Sequence, residues 1–208
     1  MPRAILARAT AATLAAIAFA SVLGQWALNT LQPDGSGWGA ELWAMLRYFT
    51  ILTNILTGVV LTRVALGRPP TAGVLAGTLL SIVMVGAVYH ALLAPETPLD
   101  GLRWWTDFGF HTVVPVGTAL WWLTFAPKAL RIVQLPYWLL WPLGYCVYAL
   151  ARGALDGRYP YFFLDLDRFG TAYVAGYIAG LVAAFALVGL ILWLIARLLS
   201  GTRGPARI

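Results

Sequence analysis

The chain has 208 residues, of which 61% are hydrophobic and 11% charged, and a mean hydropathy of +0.78; that balance excludes a water-soluble domain and describes an all-α membrane protein. Its formal charge of +6 comes from basic residues scattered in ones and twos between apolar runs, so no basic stripe is offered to nucleic acid. The single cysteine, Cys146, sits inside an apolar run, which excludes a disulfide framework and a thiolate metal site.

Apolar stretches near 6–29, 43–66, 72–94, 107–126, 135–152 and 170–198 are long enough, or nearly so, to cross the membrane as helices. The connections between them, "LQPDGSG", "GRPP", "APETPLDG", "FAPKALR" and "RGALDGRYP", are short and rich in Pro, Gly and charge. The expectation is therefore a single domain, 1–208, folded as a six-transmembrane helix bundle. The first stretch follows Arg3 and Arg8 and passes through "AFA", a small-residue pattern of cleavable signals. Its apolar run continues to Trp26, longer than a signal core needs, so it is read as a retained span. Arginine stands in for lysine everywhere except Lys128 in this Ala- and Gly-rich chain, a composition typical of GC-rich bacterial genomes.

Charge sets the orientation. Arg3, Arg8, Arg63, Arg68, Lys128, Arg131, Arg197, Arg203 and Arg207 all fall on one side of six spans, which the positive-inside rule makes cytoplasmic. Asp34, Glu41, Glu96, Asp100, Asp107, Asp156, Asp165 and Asp167 fall on the other. Both termini are then expected on the cytoplasmic side of a bacterial cytoplasmic membrane. The second span runs inward from Trp43, which places Thr50 roughly 10 Å below that point at 1.5 Å per residue. The fourth runs inward from Asp107, with His111 about 6 Å deep, and the third ends just beyond His90. Arg47, Thr50, Asn54, His90, Asp107 and His111 are thus expected together in the outer half.

On a straight helix Arg47, Thr50, Asn54 and Thr57 fall within about 80° of one another. Asp107, His111, Val114 and Thr118 share a face of the fourth span. Asp107 and His111 are one turn apart, a spacing at which a carboxylate can hold one imidazole nitrogen and leave the other for chemistry. Each polar residue also has a structural reading. An intramembrane Thr ordinarily bonds back to a carbonyl one turn earlier, and Asn54 can serve as interhelical glue. Arg47 can snorkel to the headgroups, and Asp107 can be a solvated acid at a helix start. Two histidines at one level weigh against these readings, because ionisable groups in spans are costly and mark sites or pathways. His90 and His111 would also suit the two axial positions of one haem, and a polar stripe can line a transport pathway. The inner half of each span is apolar and no inverted repeat stands out, which disfavours a transporter. No phosphate-cradling loop, metal-ligand spacing or dinucleotide fingerprint occurs, so the reaction is expected to need no cofactor.

At these residues the chain resembles the androgen-induced protein family (FAR-17a/AIG1-like) and its bacterial Pr6Pr membrane protein branch. "LRYFTILTN" is similar to the family's basic-aromatic-aromatic-Thr start of the second span, and "GFHTVVPV" to its His-Thr-x-x-Pro segment of the fourth. "VYHALLAP" and "YPYFFLDL" resemble segments of the bacterial branch, and the ordered set runs from about Trp43 to Phe169. The resemblance implies a threonine hydrolase that cleaves fatty acid esters of hydroxy fatty acids, with Thr50 and His111 in the catalytic positions. It implies a lipid ester as the partner in the membrane. Where the family tends to carry Asn four residues before its His, this chain has Asp107. Thr53 is the rival nucleophile, although Thr50 keeps the basic-aromatic-aromatic spacing.

A Thr hydroxyl is a weak nucleophile and needs a base within hydrogen-bond reach as it attacks an ester carbonyl. His111 is the expected base. Asn54 or Arg47 would supply donors to the oxyanion, or Arg47 would hold the free carboxylate of a lipid substrate.

Overall fold

The computed structural model describes residues 2–95 and 99–201; its regular elements are all helical, with no strand among the described residues. Glu96, Arg203 and Arg207, which contribute to the charge asymmetry, lie outside the described residues. The helices are α1 (Pro2–Thr30), α2 (Trp38–Met45), α3 (Phe49–Ala65), α4 (Ala72–Val88), α5 (Gly101–Phe108), α6 (Val114–Phe125), α7 (Leu135–Trp138), α8 (Leu140–Asp156) and α9 (Leu166–Gly201). A π-helical turn, Tyr89–Leu93, extends α4, and another, Gly109–Val113, joins α5 to α6. Among the described residues three helices are long and apolar enough to cross a membrane: α1, α4 with its π-helical turn, and α9. A fourth is obtained if α2 and α3 are taken as one span bent by 92°. The expected fourth span coincides with the π-helical turn and α6 at the end of a helical run begun by α5, and the fifth with α7 and α8, parted at Leu139.

The bend corrects the expectation of a straight second span over 43–66. Leu46 ends α2, Tyr48 is extended with φ −91° and ψ 133°, and α3 starts at Phe49. Thr50 therefore sits on the first turn of its helix, and the depth counted from Trp43 along one axis does not apply. Arg47 belongs to the joint and not to the Thr50 helix face, so the common stripe is lost for that residue.

The described residues form two compact units. One comprises residues up to Pro70 with Ser81–Phe125; the other comprises Thr71–Leu80 with the residues from Ala126 onward. In the first, α1 packs through a stripe of small buried residues, Ala11, Ala15, Ala18 and Ser21, repeated at three- and four-residue spacing. Small residues let helix backbones approach closely where lipid offers no hydrophobic drive. A Cβ on Gly58 of α3 would meet the Phe19 ring at 2.8 Å, and Cβ atoms on Gly109 and Gly117 would collide with Ser21 and Leu14. At the amino end of α1, Arg3 donates to the Thr124 carbonyl of α6 at 2.6 Å and Arg8 to the Ala65 carbonyl of α3 at 2.8 Å. Both cations sit on helix C-terminal carbonyls, where the macrodipole favours them. At the far end Gln25 accepts from Thr106 of α5 at 3.0 Å, and Trp26 donates to the Trp38 carbonyl at 2.8 Å. Here Val22, Met45, Ile51 and Phe110 form a buried apolar cluster. Ser36, before α2, donates to Glu41 through its hydroxyl at 2.6 Å and its amide at 3.0 Å.

In the second unit Leu135 of α7 packs on Gly189 of α9, and Trp138 on Gly77 of α4. The segment "YPYFFLDL" folds over α8 and α9: Tyr159 covers Gly153, and Phe163 stacks on Tyr161 and Tyr177 at 5.1 and 5.6 Å. Gly170, with φ 76°, breaks the helical path of α9 where the sixth span was expected to begin.

Candidate active site

Six threonines, Thr10, Thr13, Thr30, Thr57, Thr62 and Thr124, return their hydroxyls to the carbonyl four residues earlier. This is the ordinary fate of a helical Thr. Thr50 stands apart for a local reason. The residue four before it, Leu46, lies beyond the bend, so no helical carbonyl is stacked beneath its hydroxyl. Its Oγ1 instead faces His111 Nε2 at 3.4 Å, the outer edge of hydrogen-bond reach and a usual spacing for catalytic pairs without substrate. Thr53, the rival, is fully buried, and its carbonyl receives the Thr57 hydroxyl at 2.8 Å.

Behind His111 lies Asp107. His111 Nδ1 donates to Asp107 Oδ1 at 3.0 Å, with the Asp107 backbone carbonyl at 3.1 Å. A carboxylate and a carbonyl only accept, so the proton is assigned to Nδ1, and Nε2 presents its lone pair to Thr50. The side chains are 11% exposed for His111 and 26% for Asp107, a setting dry enough to strengthen the pair. Thr50, His111 and Asp107 thus form an unbroken line of hydroxyl, imidazole and carboxylate, drawn from the start of α3 and the α5–α6 run.

Sequence reasoning missed Tyr89. Its hydroxyl donates to Asp107 Oδ2 at 2.6 Å, and its ring lies on the His111 imidazole with centroids 3.6 Å apart and planes 6° from parallel. The available signal was its position beside His90 in "VYHALLAP". Tyr89 and His90 lie in one π-helical turn and His111 in the other. Such turns recur at functional sites, because an extra residue re-aims the side chains that follow. Gly86 lets the two meet: a Cβ there would stand 2.8 Å from the His111 carbonyl and 3.2 Å from Pro115.

The remaining expected residues divide. Asn54, fully buried, donates from Nδ2 to the Thr50 carbonyl at 2.9 Å, so it braces the first turn of α3. Its Oδ1 has no partner among the described residues. Arg47 is 7% exposed, its side chain buried at the bend. His90 is exposed, meets Thr112 Oγ1 at 3.1 Å and sets its ring edge-on to Tyr89 at 5.1 Å. Comparison with protein-family models, with curated proteins and with solved structures gave no match.

Proposed function

We propose that this chain is an integral membrane hydrolase of lipid esters, with Thr50 as nucleophile, His111 as base and Asp107 as the carboxylate that orients it. The observation that carries the reading is the Thr50–His111–Asp107 line, the arrangement by which a weak hydroxyl nucleophile is activated. In the proposed reaction Thr50 Oγ1 attacks the ester carbonyl as His111 Nε2 takes its proton. The same proton then goes to the departing alcohol oxygen, leaving an acyl-Thr50 ester. Water, deprotonated by His111, attacks that ester and releases the carboxylic acid and the free hydroxyl.

The oxyanion has donors at hand in this scheme. The helical ladder of α3 begins with the Leu52 amide on the Tyr48 carbonyl at 3.2 Å, and Tyr48 makes no side-chain cap. The Thr50 and Ile51 amides therefore lie in the first turn, at the positive end of the helix dipole. This replaces Asn54 in the oxyanion role, since its amide is turned to the Thr50 carbonyl.

The chain is further proposed to belong to the androgen-induced protein family's bacterial branch, with fatty acid esters of hydroxy fatty acids as its substrate class. Six spans with both termini cytoplasmic remain the proposed topology. Its support is the separation between the Arg3 and Arg8 end of α1 and the end that carries Gln25 and Trp26 beside the candidate site. The site then lies toward the outer face of the bacterial cytoplasmic membrane.

The deciding experiment is covalent labelling of the purified protein by a long-chain fluorophosphonate, with the modified residue located by mass spectrometry. Labelling at Thr50, lost in Thr50→Ala and His111→Ala, is the expected result. Equal turnover of a long-chain ester by wild type and both variants would sink the mechanism, and a Soret band on the purified protein would favour the haem reading.

A further inference from the structure

We propose that Tyr89 is a positioning residue of this site, acting on both Asp107 and His111; the inference rests on the hydrolase reading above. One side chain meets both partners of the base. Its hydroxyl occupies Asp107 Oδ2, the carboxylate oxygen that His111 does not use, at 2.6 Å. With Oδ1 on His111 Nδ1 and Oδ2 on Tyr89, the carboxylate cannot rotate without breaking a charge-assisted hydrogen bond. The ring lies flat against the imidazole at 3.6 Å, which fixes the plane in which Nε2 points at Thr50. As His111 takes the proton from Thr50 it becomes a cation held against an aromatic face, a favourable contact that grows as the charge develops.

The two contacts separate by substitution. Tyr89→Phe keeps the ring and removes the hydroxyl; Tyr89→Leu removes both. Because neither contact touches substrate, loss of the hydroxyl acts on turnover and not on binding. With a long-chain p-nitrophenyl ester and the full-length protein in detergent, Tyr89→Phe is expected to lower kcat roughly tenfold with KM within about twofold of wild type. Tyr89→Leu is expected to lose roughly a further tenfold as the cation loses its aromatic face.

A readout that mere packing would not move is the coupling between Tyr89 and Asp107. In an Asp107→Asn background, Tyr89→Phe should change the rate of fluorophosphonate labelling at Thr50 by less than about twofold, because the carboxylate it restrains is gone. Wild-type kcat in Tyr89→Phe, or an equal loss with and without Asp107, overturns the inference while the hydrolase reading stands. Turnover that survives Thr50→Ala overturns the hydrolase reading and this inference with it.

Discussion

At the scale of single residues, the candidate site depends on a threonine hydroxyl, that of Thr50, which faces an imidazole. Thr50→Val and Thr53→Val remove the same oxygen from positions three residues apart. The first is expected to abolish fluorophosphonate labelling and the second to leave it within about threefold of wild type. Asp107→Asn keeps the shape of the carboxylate but allows the wrong imidazole tautomer, and should lower kcat by roughly a thousandfold while the protein stays folded. The contact between Asp107 and His111 was legible from their spacing of one helical turn. Tyr89 was not, because an aromatic residue at the end of an apolar run is the commonest thing in a membrane chain. Arg47 and Asn54 were visible as polar intrusions, but their directions depend on a bend and on a neighbouring carbonyl that periodicity does not reveal.

At the scale of elements, the site is made where helices deviate from regularity. The bend between α2 and α3 presents Thr50, and the two π-helical turns carry Tyr89, His90 and His111. The long apolar helices α1, α4 and α9 were legible because length and hydropathy suffice to find them. The interruptions were not, since Leu46, Arg47 and Tyr48 contain neither Pro nor Gly and each is compatible with a helix. Gly86 is the element-level contact most open to test. Its Cβ would press on the His111 backbone, so Gly86→Ala should cost about 1–3 kcal/mol in detergent unfolding and slow labelling of Thr50. Gly144→Ala and Gly176→Ala, where an added methyl meets nothing within 4 Å, serve as neutral comparisons in the same assay.

At the scale of the whole molecule, the proposed orientation places Asp34 outside and Arg68 inside. Cys146→Ser gives a cysteine-free background, because the chain has one cysteine. In that background Asp34→Cys should react with a membrane-impermeant maleimide on intact cells, and Arg68→Cys only after permeabilisation. The reverse pattern would invert the topology and move the candidate site to the cytoplasmic face. The bend before Phe49 also has a meaning for how such a site could be switched off. Were Leu46–Tyr48 to close into a continuous helix, the Leu46 carbonyl would slide beneath Thr50 and take its hydroxyl, as the carbonyls beneath Thr57 and Thr62 already do. The chain would then carry its own resident inhibitor, silencing the proposed nucleophile with every side chain of the site still present.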